Sequence, residues 1–285
     1  MVYAVTGASG HFGTLAVQHL LKLKVPASSI VAVVRNEAKA STLKSWGVTV
    51  RAADYNDRAS LDKALKGVDR LLLVSGSEPG HRLAQHSAVV DAAKAAGVKL
   101  IAYTSISHAD TSKNPLAPEH KGTEEYLKKA GVPFVALRNN WYTENYADDV
   151  NYARSSGVIA NAAPHGKVAS ASRTDYAEAA ARALTGEGHA GKVYELTGPT
   201  AWTFTEFAAA ASEVLGKPVT YKSLSPDERK KGLIAAGLPE GVAGFVLSLD
   251  LTIEDGTLAA ATGDLEKLLG RKPLSLKEGI ELLLK

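Results

Sequence analysis

The first half of the chain alternates short apolar runs with segments whose apolar residues recur every three to four positions. The runs Val2–Val5, Ile30–Val34, Val48–Arg51, Arg70–Val74, Leu100–Thr104 and Phe134–Leu137 predict strands. Between them, Thr14–Lys22, Glu37–Trp46, Ser60–Leu65, Arg82–Ala96 and Glu119–Lys129 carry a helical period. Gly47, Gly67, Gly97 and Gly131 stand just past such segments, where a left-handed residue closes a helix. Near-continuously apolar strands separated by helices imply a parallel sheet covered on both faces. Right-handed crossovers make it a doubly wound α/β sheet of the Rossmann kind. Functional residues then belong just beyond the carboxyl ends of the strands.

After Asn139 the alternation fades. Tyr142 to Arg154 reads as a helix with aromatic residues on one side. Ser172-Arg-Thr-Asp175, Thr203-Phe-Thr-Glu206 and Ser225-Pro-Asp-Glu228 each open a helix in capping-box fashion. Lys192–Leu196 reads as a strand, and Leu265–Leu269 and Leu276–Leu284 as closing helices. The expected division is a nucleotide-binding domain over 1–140 and a smaller, mostly helical substrate lobe over 141–285, interleaved with the first. The weakly charged stretch Gly232–Leu249 is broken by Pro239, Glu240 and glycines, so it predicts buried or substrate-facing helices rather than a membrane span.

The first strand runs into Thr6-Gly7-Ala8-Ser9-Gly10-His11-Phe12-Gly13 and then a helix. Glycines let such a turn take positive φ and approach a ligand closely. The free N–H groups and dipole at the helix start favour a pyrophosphate. The spacing is G-x-x-G-x-x-G, a variant of the usual dinucleotide fingerprint. Arg35 follows the second strand, where an adenosine ribose lies in this architecture. An acid there would hold the 2′-hydroxyl of NAD, whereas arginine accommodates the 2′-phosphate of NADP, so NADPH is the expected cofactor. The alternative is a surface arginine paired with Glu37 or Asp57. Asp54, after the third strand, suits either an adenine amino group or the cap of the next helix. Ser75, Gly76 and Ser77, after the fourth, would let backbone run along the ribose and pyrophosphate.

Thr104-Ser105 follows the fifth strand. In the short-chain dehydrogenases this position supports a Tyr-x-x-x-Lys pair one helix later. Aligned on Glu124, the lysine position holds His120 and the tyrosine position Leu116, so the usual proton donor is missing. His120 is a candidate for proton donation or for contact with the nicotinamide ribose. Asn139, Asn140, Trp141 and Tyr142 follow the sixth strand. Asparagines can bond a carboxamide, and the two rings offer flat apolar surface to a planar ligand or form core between lobes.

Composition narrows the class. The 285 residues are 45% apolar, enough for a sizeable core, and the net charge of +3 with no basic stripe argues against nucleic acid. No cysteine is present, which excludes thiolate sites and disulfides and fits a reducing, cytoplasmic setting. His81 and His86 lack metal-ligand spacing.

The chain resembles the atypical short-chain dehydrogenases of the NmrA-like family, and within it the bacterial quinone oxidoreductases and the triphenylmethane dye reductases. The resemblance runs nearly end to end. It is carried by Val5–Gly10, Val25–Ile30, Val33–Asn36, Ala53–Tyr55, Ala92–Gly97, Ile101–Ser105, Leu137–Asn139 with Trp141-Tyr142 and Glu144-Asn145, and Gly191–Leu196. It implies NADPH along Gly7–Phe12 with Arg35 at the adenosine phosphate, nicotinamide contacts from Asn139 to Tyr142, and hydride transfer to a quinone by a monomer or homodimer. It also makes the missing Tyr-x-x-x-Lys pair normal. Asn140 and His11 depart from it, standing where the quinone reductases carry glycine and glutamine. Two other readings follow from the same residues: an NADP(H)-binding redox sensor without turnover, and a reductase of another planar acceptor such as a cationic dye.

Overall fold

The computed structural model describes residues 1–285. In chain order the elements are β1 (Tyr3–Val5), α1 (His11–Lys22), β2 (Ile30–Val34), α2 (Ser41–Ser45), β3 (Thr49–Ala52), α3 (Arg58–Ala64), β4 (Arg70–Leu73), α4 (Arg82–Ala95), β5 (Leu100–Ile106), α5 (Ala117–Ala130) and β6 (Phe134–Asn139). They continue with α6 (Ala147–Ser156), β7 (Val158–Asn161), β8 (Lys167–Val168), α7 (Arg173–Thr185), β9 (Val193–Leu196), β10 (Trp202–Thr203), α8 (Phe204–Leu215), β11 (Thr220–Ser223), α9 (Pro226–Ala235), α10 (Glu240–Glu254), α11 (Asp264–Leu269) and α12 (Leu276–Leu283). The main sheet has seven strands in the order β3-β2-β1-β4-β5-β6-β9, every pairing parallel. The order reverses between β1 and β4, which opens the ligand crevice of a doubly wound sheet.

Alternate residues of each strand serve opposite faces. Val5, Ile30, Ala32, Val34 and Leu72 pack with α1, α7 and α11, whereas Ala4, Val31, Val33, Leu71 and Leu73 pack with α3, α4 and α5. A run apolar at every position is thus what a two-faced layer needs. Helix α7 is lined with fully buried alanines, Ala177, Ala179, Ala180, Ala181 and Ala183, whose small side chains let it lie close on α1 and the sheet. Helices α7 and α11 and strand β9 therefore come from the second half of the chain yet pack with the sheet.

A separate core joins α6, α8, α10 and α12 around Tyr146, Trp202, Phe204 and Phe207, with ring centroids 5.0–6.4 Å apart. Two small sheets, β8–β10 and β7–β11, brace it. These strands, two and four residues long, were not among the runs read from the sequence. The helix expected over Glu37–Trp46 divides into a 3₁₀ turn (Glu37–Lys39) and α2, separated by Ala40. That expected over Tyr142–Arg154 begins as a 3₁₀ turn, Thr143–Tyr146, ahead of α6. Gly47, Gly67, Gly97 and Gly131 all have positive φ, as their capping positions require. No helix is long and apolar enough to cross a membrane.

One buried cluster spans both sides of the sheet edge. Arg138 on β6 donates from Nε and Nη2 to the two carboxylate oxygens of Glu124 on α5, at 2.9 and 2.8 Å. Its Nη1 reaches Glu195 on β9 and Asp110 in the loop after β5, each at 2.9 Å. Ser105 completes the set by donating to Glu124 at 2.7 Å. Glu124→Gln removes half of the forked pair and leaves a buried guanidinium partly uncompensated. The expected loss is about 2–4 kcal/mol of unfolding free energy in urea, and a loss below about 0.5 kcal/mol would contradict the cluster's structural role.

Candidate active site

The turn after β1 is set by sterics. Gly7 sits at φ +58°, and a Cβ on Gly13 would stand 2.3 Å from the Gly7 carbonyl oxygen. The turn and α1 are that close. Gly10 N–H is consumed by Gly7 O, and the first helical bond is Thr14 N–H to Gly10 O. Helix α1 has no side-chain cap and no acidic residue in its first turn, so its leading N–H groups are left for an external anion.

This turn forms one wall of a cavity of about 330 Å³, lined by Gly7, Ser9, Gly10, His11, Phe12, Arg35, Asp54, Ser75, Gly76 and Ser77 among others. The expected nucleotide residues from the four loops after β1, β2, β3 and β4 thus converge. Ala8 is the exception. It is fully buried, its N–H is spent on Val33 O, and it does not line the cavity. Asp54 does not cap α3; Asp57 does, accepting from Ser60 N, while Asp54 turns back to accept from Asn56 N. Arg35 pairs neither with Glu37 nor with Asp57. Its Nη1 meets Glu78, also a lining residue, at 2.9 Å. Their side chains are 67% and 42% exposed, so this ion pair is weak and easily exchanged.

A second cavity of about 510 Å³ shares Ser75 with the first and is lined by Ser105, His120, Asn139, Asn140, Trp141, Tyr142, Tyr146, Asp149 and others. Tyr142 is held between Phe12 and Tyr176, with centroids 6.2 and 5.4 Å away, and beneath the Arg173 guanidinium at 5.1 Å. Burial raises its phenol pKa, so the hydroxyl keeps its proton while accepting from Asn139 Nδ2 at 3.2 Å. Asn140 anchors the wall by donating to Leu258 O at 3.1 Å and Ala169 O at 3.3 Å. Asn139 Oδ1, Asn140 Oδ1, Trp141 Nε1 and Tyr146 OH are buried without a protein partner. Such groups are costly unless a ligand or water meets them. Trp141 also packs on the second core, so it serves as cavity wall and as lobe core together.

The far end is roofed by α10 through Phe245, Val246 and Leu249. Of the stretch Gly232–Leu249, only this part is cavity-facing; α9 buries no residue. A charged cluster that no spacing in the sequence announces stands here. Arg229 pairs with Asp250 at 2.8 Å, and Asp149 lies beside them. Burial pushes the Asp149 carboxyl up to about 6, with Asp250 and Asp148 adding and Arg229 opposing. The acid is therefore favoured in the folded chain, and its ionisation costs stability progressively from about pH 4 to above pH 6. Asp149→Asn is expected to gain about 1–2 kcal/mol over the parent at pH 7.5 in urea unfolding. The gain should vanish near pH 4; an equal gain at both pH values would contradict a buried carboxylate.

Residues 2–281 match the NmrA-like family. The chain is 49% identical to quinone oxidoreductase 2 of Escherichia coli (strain K12) over 277 residues, which is 97% of this chain and 96% of that protein. The NADPH-dependent quinone oxidoreductase of Escherichia coli, solved in complex with NADPH, superposes at TM-score 0.95 with 48% identity over 100% of both chains. The triphenylmethane reductase of Citrobacter sp. superposes at TM-score 0.95 with 43% identity, over 100% of this chain and 99% of that one. The chain is thus a member of the NmrA-like family.

Proposed function

We propose that the protein is an NADPH-dependent reductase that delivers hydride to a quinone. The observation that carries this reading is the meeting of two cavities at Ser75, one built for a dinucleotide and the other for a flat acceptor. The residues present fit NADPH. The close glycine turn and uncapped helix suit a pyrophosphate, and Arg35 can exchange Glu78 for a 2′-phosphate. The unpartnered amide oxygens of Asn139 and Asn140 suit the carboxamide N–H groups of the nicotinamide.

NADPH, when bound, supplies the hydride. The chain's own contribution is positional. Phe12 and Tyr176 hold the Tyr142 ring, and Trp141 and Tyr142 present flat surface that keeps the acceptor in register. Phe245, Val246 and Leu249 add apolar surface to the same cavity. A quinone that accepts hydride becomes a quinol anion stable enough to take its proton from water. No strong acid is then required at the position where the tyrosine is missing. The runner-up acceptor is a planar cation, favoured by the two carboxylates, Asp149 and Asp250, around one guanidinium, Arg229.

Stopped-flow mixing of the NADPH complex with a benzoquinone should show NADPH oxidation well above the uncatalysed rate, and its absence would overturn the reading. Ranking quinones and cationic dyes by kcat/KM separates the two acceptors. Arg35→Ala should weaken NADPH roughly 10- to 100-fold in fluorescence titration and NADH less than about 3-fold. Equal losses would refute the phosphate contact.

A further inference from the structure

Behind the Ser75–Ser77 loop lies a buried polar chain that fixes where one proton sits. Gly76 N–H donates to His86 Nε2 at 2.9 Å, so that nitrogen carries a lone pair. The Thr123 hydroxyl donates to Glu119 O at 2.8 Å, so its oxygen can only accept from His86 Nδ1, 3.0 Å away. His86 is therefore the neutral Nδ1–H tautomer. Tyr103 OH lies 3.4 Å from that N–H and 2.7 Å from His120 Nδ1. His86 Nδ1 already bears hydrogen, so of the two ring nitrogens near the Tyr103 hydroxyl only His120 Nδ1, at 2.7 Å, can accept its proton. Reversing that bond would leave a fully buried O–H facing only the Thr123 hydroxyl, which already accepts from His86. Thus the proton of His120 is on Nε2, on an imidazole that lines the acceptor cavity.

We propose that His120 is a fixed, neutral Nε2–H donor to the carbonyl oxygen of the acceptor, with Tyr103 and His86 as the positioning residues that set its tautomer. This rests on the reductase reading and adds what that reading lacks, a group aimed at the developing charge. As hydride leaves the dihydronicotinamide, its electron pair enters the quinone and one quinone oxygen becomes anionic. The His120 N–H bond stays intact and stabilises that oxygen by hydrogen bonding. The proton that completes the quinol comes from water. A neutral imidazole suits this work because it cannot be titrated away near neutrality. Burial pushes His120 down to about 3, helped by the Arg82 guanidinium and by His86. His86 is pushed to about 3 by burial and Arg82. Tyr103, from β5, stays a phenol because burial raises its pKa, and Glu119 and Glu124 are the carboxylates nearby on α5.

The test is histidine-selective ¹⁵N labelling of the full chain with long-range ¹H–¹⁵N correlation, assigned by loss of the His120 signals in His120→Phe. A single Nε2–H tautomer of His120, unchanged from pH 5 to 8, is expected. Tyr103→Phe should release it into a tautomer mixture. A protonated Nδ1, or titration near pH 6.5, would overturn the proposal. In turnover with benzoquinone, His120→Phe should lower kcat on the order of 100-fold while the NADPH Kd stays within about 2-fold. His120→Gln, whose amide N–H₂ reaches the place of Nε2–H, should recover much of that loss. A His120→Phe enzyme turning over within about 2-fold of the parent would also overturn it. Because the tautomer is read without any acceptor, an inactive parent with the Nε2–H tautomer would sink the reductase reading, and the donor role with it, while leaving the polar chain standing.

Discussion

The acceptor side of the molecule depends on one buried guanidinium. Arg138 stands in register with Ser105 on β5 and Glu195 on β9, so its row crosses three strands. Its fork grips Glu124 on the helix that carries His120, and its remaining nitrogen ties in Glu195 and Asp110. The next residue along β6 is Asn139, where the chain leaves the sheet to build the second cavity. Arg138 thus sets helix, strand exit and loop against one another. A carboxylate in each direction compensates its charge, which is the condition under which a buried ion can be kept.

Around this anchor the cleft separates two tasks. The first cavity combines backbone from a glycine turn, the bare start of α1 and the Ser75–Ser77 loop with the side chains of Arg35 and Asp54. The acceptor side is made of side chains, aromatic walls from the β6 exit and a roof from α10. The two meet at Ser75, whose N–H is held by Thr104 Oγ1 at 2.8 Å. The threonine that in a short-chain dehydrogenase would attend a catalytic pair here supports the partition between cavities.

The sheet was legible in the sequence because a two-faced parallel layer demands near-continuously apolar strands: β1 and β2 meet that demand throughout and β4, β5 and β6 over most of their length, while the edge strand β3 carries Thr49 and Arg51 and is only partly buried. The phosphate turn was legible because steric closeness leaves only glycine at Gly13. The convergence of Arg35, Asp54 and Ser75 followed from the rule that such residues sit at strand ends. What escaped depends on contacts distant in sequence. The β9 segment reads as an isolated strand, and only pairing with β6 shows its place. His86, Tyr103 and Thr123 are spread over two helices and a strand, and no spacing announces that they share a hydrogen-bond chain. The Asp149–Arg229–Asp250 group assembles from three helices in the same way. Adjacency in a motif does not fix which way a residue turns: Ala8 turns inward, and of the two readings open for Asp54 the cap of α3 falls to Asp57 instead.

A dinucleotide bound in the first cavity as proposed brings its reactive ring to the mouth of the second. A crystal structure of the NADPH complex should show the adenosine phosphate at Arg35, with Glu78 displaced, and the nicotinamide at Ser75 facing Asn139 and Tyr142. A nicotinamide turned out to solvent, or a nucleotide bound in the opposite direction, would contradict this placement.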